Sequence, residues 1–95
     1  MESLQPLTNF VETAADDIRI NCTHIAVYLA VLYQWDLNQG ENPISVCKED
    51  IMKIAKINAR QTYNKTINDL HDFGYIRYIP SPNQFLKSLI YIKRV

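Results

Sequence analysis

Two glycines and two cysteines among 95 residues set the first bounds. So few glycines exclude the glycine-rich loops that cradle nucleotide phosphates, which need several at fixed spacing. Cys22 and Cys47 lack the paired spacing of a zinc site, so the expectation is two reduced, mostly buried thiols and no disulfide. No apolar run reaches the roughly 20 residues that span a bilayer. The start, MESLQPLTNF, lacks the basic residues and apolar core of a secretory signal, which points to a cytoplasmic chain without a membrane partner.

Catalytic groupings are equally scarce. Asp16 and Asp17 adjoin, but neighbours in sequence do not converge, and Asp69 and Asp72 read as solvated helix positions. Cys22 and His24 make half a metal site whose other candidates, Cys47 and His71, stand in separate segments. No Ser/His/Asp set is present to activate a nucleophile. The expectation is no enzyme, no metal and no cofactor.

A net charge is missing too, although the zero is a cancellation. Residues 1–47 hold one basic and six acidic side chains, and residues 48–95 hold nine basic and four acidic ones. A polyanion partner is therefore expected for the second half. Hydrophobic residues make up 47% and aromatics 11%, enough for the core of one small domain over residues 1–95. Within it, residues 1–22 read as an N-terminal arm or short helix and residues 23–95 as the main body.

The arm allows a helix from Leu7 to Ala15, after Pro6. Thr23–Gln39 is the longest helical candidate, capped by Asn21 or Thr23, and it is apolar nearly all round. Such a helix is either wrapped by its own domain or packed on a second copy. The loop NQGENP ends it, with Gly40 suited to a left-handed cap. Ile44–Val46 alternates as a short strand, and Cys47 stands where a polar cap usually precedes a helix. The next helix turns Ile51, Ile54 and Ala55 inward and stops near Ile57. A third helix is expected to start at Asn58 as its cap, with Gln61 in capping-box position, and to run to Phe73 before Gly74.

At 100° per residue this third helix puts Ala59, Tyr63, Thr66, Ile67, Leu70 and Phe73 on one side. Gln61, Asn64, Lys65, Asn68 and Asp72 lie opposite, with Arg60 and Thr62 flanking near the N-terminus. Amides pair with adenine edges and Arg or Lys with guanine or phosphate, so the outward face fits duplex DNA. An ordinary solvated face would carry much the same pattern. Tyr75–Pro80 and Leu89–Lys93 have the content of paired strands, and Ser81–Ser88 connects them. Lys48, Arg77, Asn83 and Lys87 complete the expected DNA contacts, as groups that hold phosphate without reading sequence. Phe85 and Leu86 in the connecting loop are expected to tuck against the body or to form a patch for a partner.

Residues 23–95 resemble the bacterial winged helix-turn-helix family. The stretch NPISVCKEDIMKIAKINARQTYNKTINDLHDFGYIRYIPS is similar to small proteins of bacterial mobile elements that look like transcriptional regulators. The resemblance implies an α+β fold, mainly α with a small β wing: three core helices and a two- or three-stranded antiparallel sheet. It also places Arg60, Gln61, Thr62, Asn64 and Lys65 at recognition-helix positions. Cys47 in place of a polar cap and a wing loop without glycine depart from the pattern.

Sequence-specific binding of double-stranded DNA is thus the leading expectation, with a homodimer formed through the N-terminal segment and the 23–39 helix. The alternative is a winged-helix module for protein–protein contacts without DNA binding, which an isoelectric point near 6.7 favours.

Overall fold

The structure is a computed structural model that describes residues 5–80 and 87–92. Along the chain run α1 (Gln5–Ala15), α2 (Cys22–Leu37), β1 (Ile44–Val46), α3 (Lys48–Ala55), α4 (Arg60–Asp72), β2 (Ile76–Ile79) and β3 (Ser88–Ile92). Among the described residues this is an α+β arrangement of four helices and one three-stranded antiparallel sheet. Ser81, Asn83, Phe85, Leu86 and Lys93, expected in or beside the hairpin, lie outside the described residues.

Helix α1 starts two residues before the expected Leu7, and Pro6 falls in its first turn, where a missing N–H costs no helical hydrogen bond. Leu7, Phe10 and Ala14 recur at helical spacing and pack inward. Phe10 is buried, with its ring edge-on to Tyr28 at 3.9 Å and to Tyr75 at 5.2 Å between centroids. The following turn is held from the far side of the fold. Asp17 accepts hydrogen bonds from the Arg19 guanidinium at 2.8 and 2.9 Å and from the Tyr75 hydroxyl at 2.8 Å. Arg19 in turn lies 4.1 Å over the Phe73 ring. The Arg19 guanidinium keeps the Asp17 carboxyl well below the usual carboxylate range, and burial helped by Asp17 pushes the Tyr75 hydroxyl up to about 12.

Of the two caps expected for α2, Asn21 serves. Its side chain accepts from the backbone N–H groups of Thr23 and His24, and His24 Nδ1 accepts from the Asn21 N–H at 3.0 Å. This closes a capping box with His in the position usually held by Glu or Gln. The helix stops at Leu37 rather than Gln39, because Gln39 and Gly40 turn left-handed with φ of 60° and 71°. A side chain at Gly40 would have its Cβ 3.3 Å from the Trp35 ring, so glycine lets the loop close over the indole. Val27, Ala30, Val31 and Trp35 fill the core, while Ile25, Leu29, Tyr33 and Leu37 remain exposed.

Two expectations of burial fail. Cys22 is exposed at the first position of α2 and Cys47 is half-buried, both as free thiols. On α3, Ile51 is buried and Met52 and Ala55 are half-buried, but Ile54 is 39% exposed. Successive residues turn by about 100°, so a face centred on Ile51, Met52 and Ala55 leaves Ile54 on the flank.

Strand β3 lies between β1 and β2 and is antiparallel to both. Ile44 pairs with Ile90 and Ile76 with Ile92, which puts these apolar residues on one face of the sheet, against the helices. The Asn42 side-chain amide adds a rung to this pairing: its Nδ2 donates to the Ile92 carbonyl at 2.8 Å and its Oδ1 accepts the Ile92 N–H at 3.1 Å.

Candidate nucleic-acid interface

The inner side of α4 is fixed by Tyr63, Thr66, Ile67 and Leu70, all buried, at the spacing of one helical face. The opposite side is thereby turned outward. Its beginning differs from expectation: the N-cap is Ala59, whose side chain offers no oxygen, and Asn58 sits one residue too early to reach the first amides. Ala59 is accordingly exposed, and Phe73, expected on the inner face, is the half-buried C-cap. The first N–H groups of any helix lack helical partners, and here no side chain caps them, so they suit an anionic oxygen.

Arg60, Gln61, Thr62, Asn64, Lys65 and Asn68 are all exposed. Two of them already have partners within α4. Lys65 Nζ donates to Asp69 Oδ2 at 2.8 Å, and Asn68 Nδ2 donates to the Asn64 carbonyl at 2.8 Å. Lys65, and after it His24, hold the Asp69 carboxyl below its ordinary range. His24 is buried and its Nε2 lies 2.9 Å from Asp69 Oδ2, so the start of α2 is tied to the outward-facing half of α4. Sequence reasoning missed this link. A separation of 45 residues leaves no local signal for it.

The remaining expected contacts divide. The register Val46↔Ser88 brings Lys87, just before β3, to the sheet end where Lys48 opens α3. Arg77 is exposed opposite Tyr91, with its guanidinium 5.5 Å from that ring centroid. It lies on the sheet face away from the helices, so it does not share the outward face of α4. Asn83 falls outside the described residues.

Lys56 was not among the expected contacts. It is exposed between α3 and α4 in a left-handed conformation, φ 62° and ψ 41°, and closes the end of α3. A shallow groove of about 470 Å³ runs between it and the first turn of α2, bordered by Cys22, Thr23, Asn58 and Thr62. Among the described residues no group of three His, Cys, Asp or Glu side chains could hold a metal ion, and no helix is long and apolar enough to cross a membrane.

No family model matches the chain, and no curated protein or solved structure does.

Proposed function

We propose that this chain is a winged helix-turn-helix protein that binds duplex DNA through α4 and acts by occupying its site, as a transcriptional regulator or an accessory factor of a mobile element. One observation carries the reading. From Ile51 to Asn68 the chain has four basic residues, Lys53, Lys56, Arg60 and Lys65, and no acidic one; all four are exposed, Arg60 and Lys65 on α4 itself and Lys56 in the turn before it. In this reading cations supply the phosphate attraction, while the exposed amides of Gln61 and Asn64 pair with base edges.

Titration of the purified protein against duplex from upstream of its own gene, at two salt concentrations, tests this. Affinity should fall by about 0.9 log unit per decade of salt for each phosphate neutralised. Gln61→Ala and Asn64→Ala should weaken the preferred site and leave nonspecific binding nearly unchanged, whereas Lys87→Ala lowers both together. Absence of binding at low salt would refute the proposal.

A second reading, a winged-helix module for protein contacts, is favoured by the engagement of Lys65 and Asn68 inside α4. It gains if Gln61→Ala and Asn64→Ala leave site preference untouched.

A further inference from the structure

Helix α2 exposes one continuous apolar ridge. Ile25, Leu29, Tyr33 and Leu37 recur at every fourth residue and are 41%, 45%, 53% and 61% exposed. Cys22 and Asp36 fall within the same arc of the helix, and Asp36 is its only carboxylate. Among the described residues of the arm, Phe10 is committed to the core and Leu7 and Ala14 pack against it, so these three do not cover the ridge.

We propose that the ridge seats a second copy of this chain, with the two α2 helices antiparallel about a twofold axis. An i±4 ridge lying beside the equivalent ridge of an identical helix gives a crossing angle of about −50°. With the axis midway along the ridge, Leu29 faces the partner's Tyr33 and Ile25 faces the partner's Leu37, so the surface complements itself.

Charge selects the direction. A parallel pair would bring the two Asp36 carboxylates together beside two negative helix C-termini. The antiparallel pair separates them by roughly 15 Å, from a rise of about 1.5 Å per residue, and salt screens charges beyond about 10 Å. It also sets each C-terminal half against the partner's N-terminal half, where the helix dipoles attract.

Area sets the strength. The four ridge residues expose roughly 400 Å², against the roughly 500 Å² of apolar surface in a homodimer interface of about 800 Å² per subunit. The ridge supplies most of the apolar part of an interface, which fits micromolar association.

This proposal stands apart from DNA binding and is tested without DNA. Analytical ultracentrifugation across the micromolar range should show a monomer–dimer equilibrium. The double variant Leu29→Lys, Tyr33→Lys should raise the dimer Kd by at least about tenfold, since it places charge at the centre of the contact. Both positions are exposed, so its circular dichroism and monomer melting should match the parent. Spin labels on Cys22 in a Cys47→Ser background should lie roughly 25 Å apart in the antiparallel dimer, against roughly 15 Å in a parallel one. A wild-type monomer throughout that range, unchanged dimerisation of the double variant, or the shorter distance would overturn the proposal. A dimer that ignores DNA would remove only the functional reading of α4.

Discussion

Helices α2 and α4 have 16 and 13 residues and pack against each other, but they divide their surfaces differently. Helix α4 is sharply two-sided, with apolar residues inward and amides and cations outward. Helix α2 is apolar on both sides and has one carboxylate. The outward face of α4 is hydrophilic and at ease in water. Exposed apolar rows, in contrast, cost free energy until something covers them. Polarity therefore separates two surfaces of one small fold, one hydrophilic and one apolar.

The largest expected effect tests whether burial, rather than composition, distinguishes the helices. Ile67→Ala on α4 should lower stability by about 2 to 5 kcal/mol, as a buried large-to-small change. Leu29→Ala on α2 removes a similar hydrocarbon from an exposed row and should cost under about 1 kcal/mol in dilute protein. Equal losses in urea melts of both variants would mean that the ridge belongs to the core.

A smaller effect concerns the link between the helices. Asp69 has a folded pKa below its unfolded value, so its contribution is present above the ordinary carboxyl range and is lost as pH falls through the folded value. Asp69→Asn should therefore lose less stability than the parent between neutral and acid pH, by on the order of 1 kcal/mol or less. Asp17 is shifted in the same direction and leaves residual acid sensitivity in both proteins. Identical acid profiles would show that the His24–Asp69–Lys65 contacts do not couple α2 to α4.

The smallest effect separates fold from site at Lys56. Lys56→Gly relieves a left-handed conformation and should raise stability by a few tenths to about 1 kcal/mol, while removing one cation from the turn before α4. A melting point that rises while DNA affinity falls would place Lys56 on the binding side of the comparison. If DNA affinity is unchanged, its charge serves neither.

Much of this division was legible in the sequence. The inward spacing of Tyr63, Ile67 and Leu70 leaves Arg60, Gln61 and Asn64 only one side to occupy, and they are exposed as expected. The apolar content of Thr23–Gln39, nearly all round, likewise called for cover from the domain or from a second copy, and Ile25, Leu29, Tyr33 and Leu37 are left exposed. Failures came where a single residue of register decides the outcome. Asn58 has the chemistry of a cap, but the helix starts after Ala59, and a side chain one position early reaches nothing. Ile54 has the chemistry of a core residue, yet a short helix contacts the body over a narrow arc. The Lys65–Asp69 pair is an i,i+4 ion pair that sequence spacing does contain. His24 could not be assigned to Asp69, since only the packed fold brings them together.

The sheet order has a consequence for synthesis. β1 and β2 each pair with β3 and not with each other, and β3 is the last of the three strands in chain order. While the chain is being made, two finished strands therefore wait as open edges until Ser88–Ile92 emerges between them. Only then do Ile44 and Ile76 gain the neighbours Ile90 and Ile92 that seal the sheet onto the helices. The helical part of the core has its last buried residue at Leu70, 18 positions before Ser88, so chain order supplies every helical core residue before the central strand.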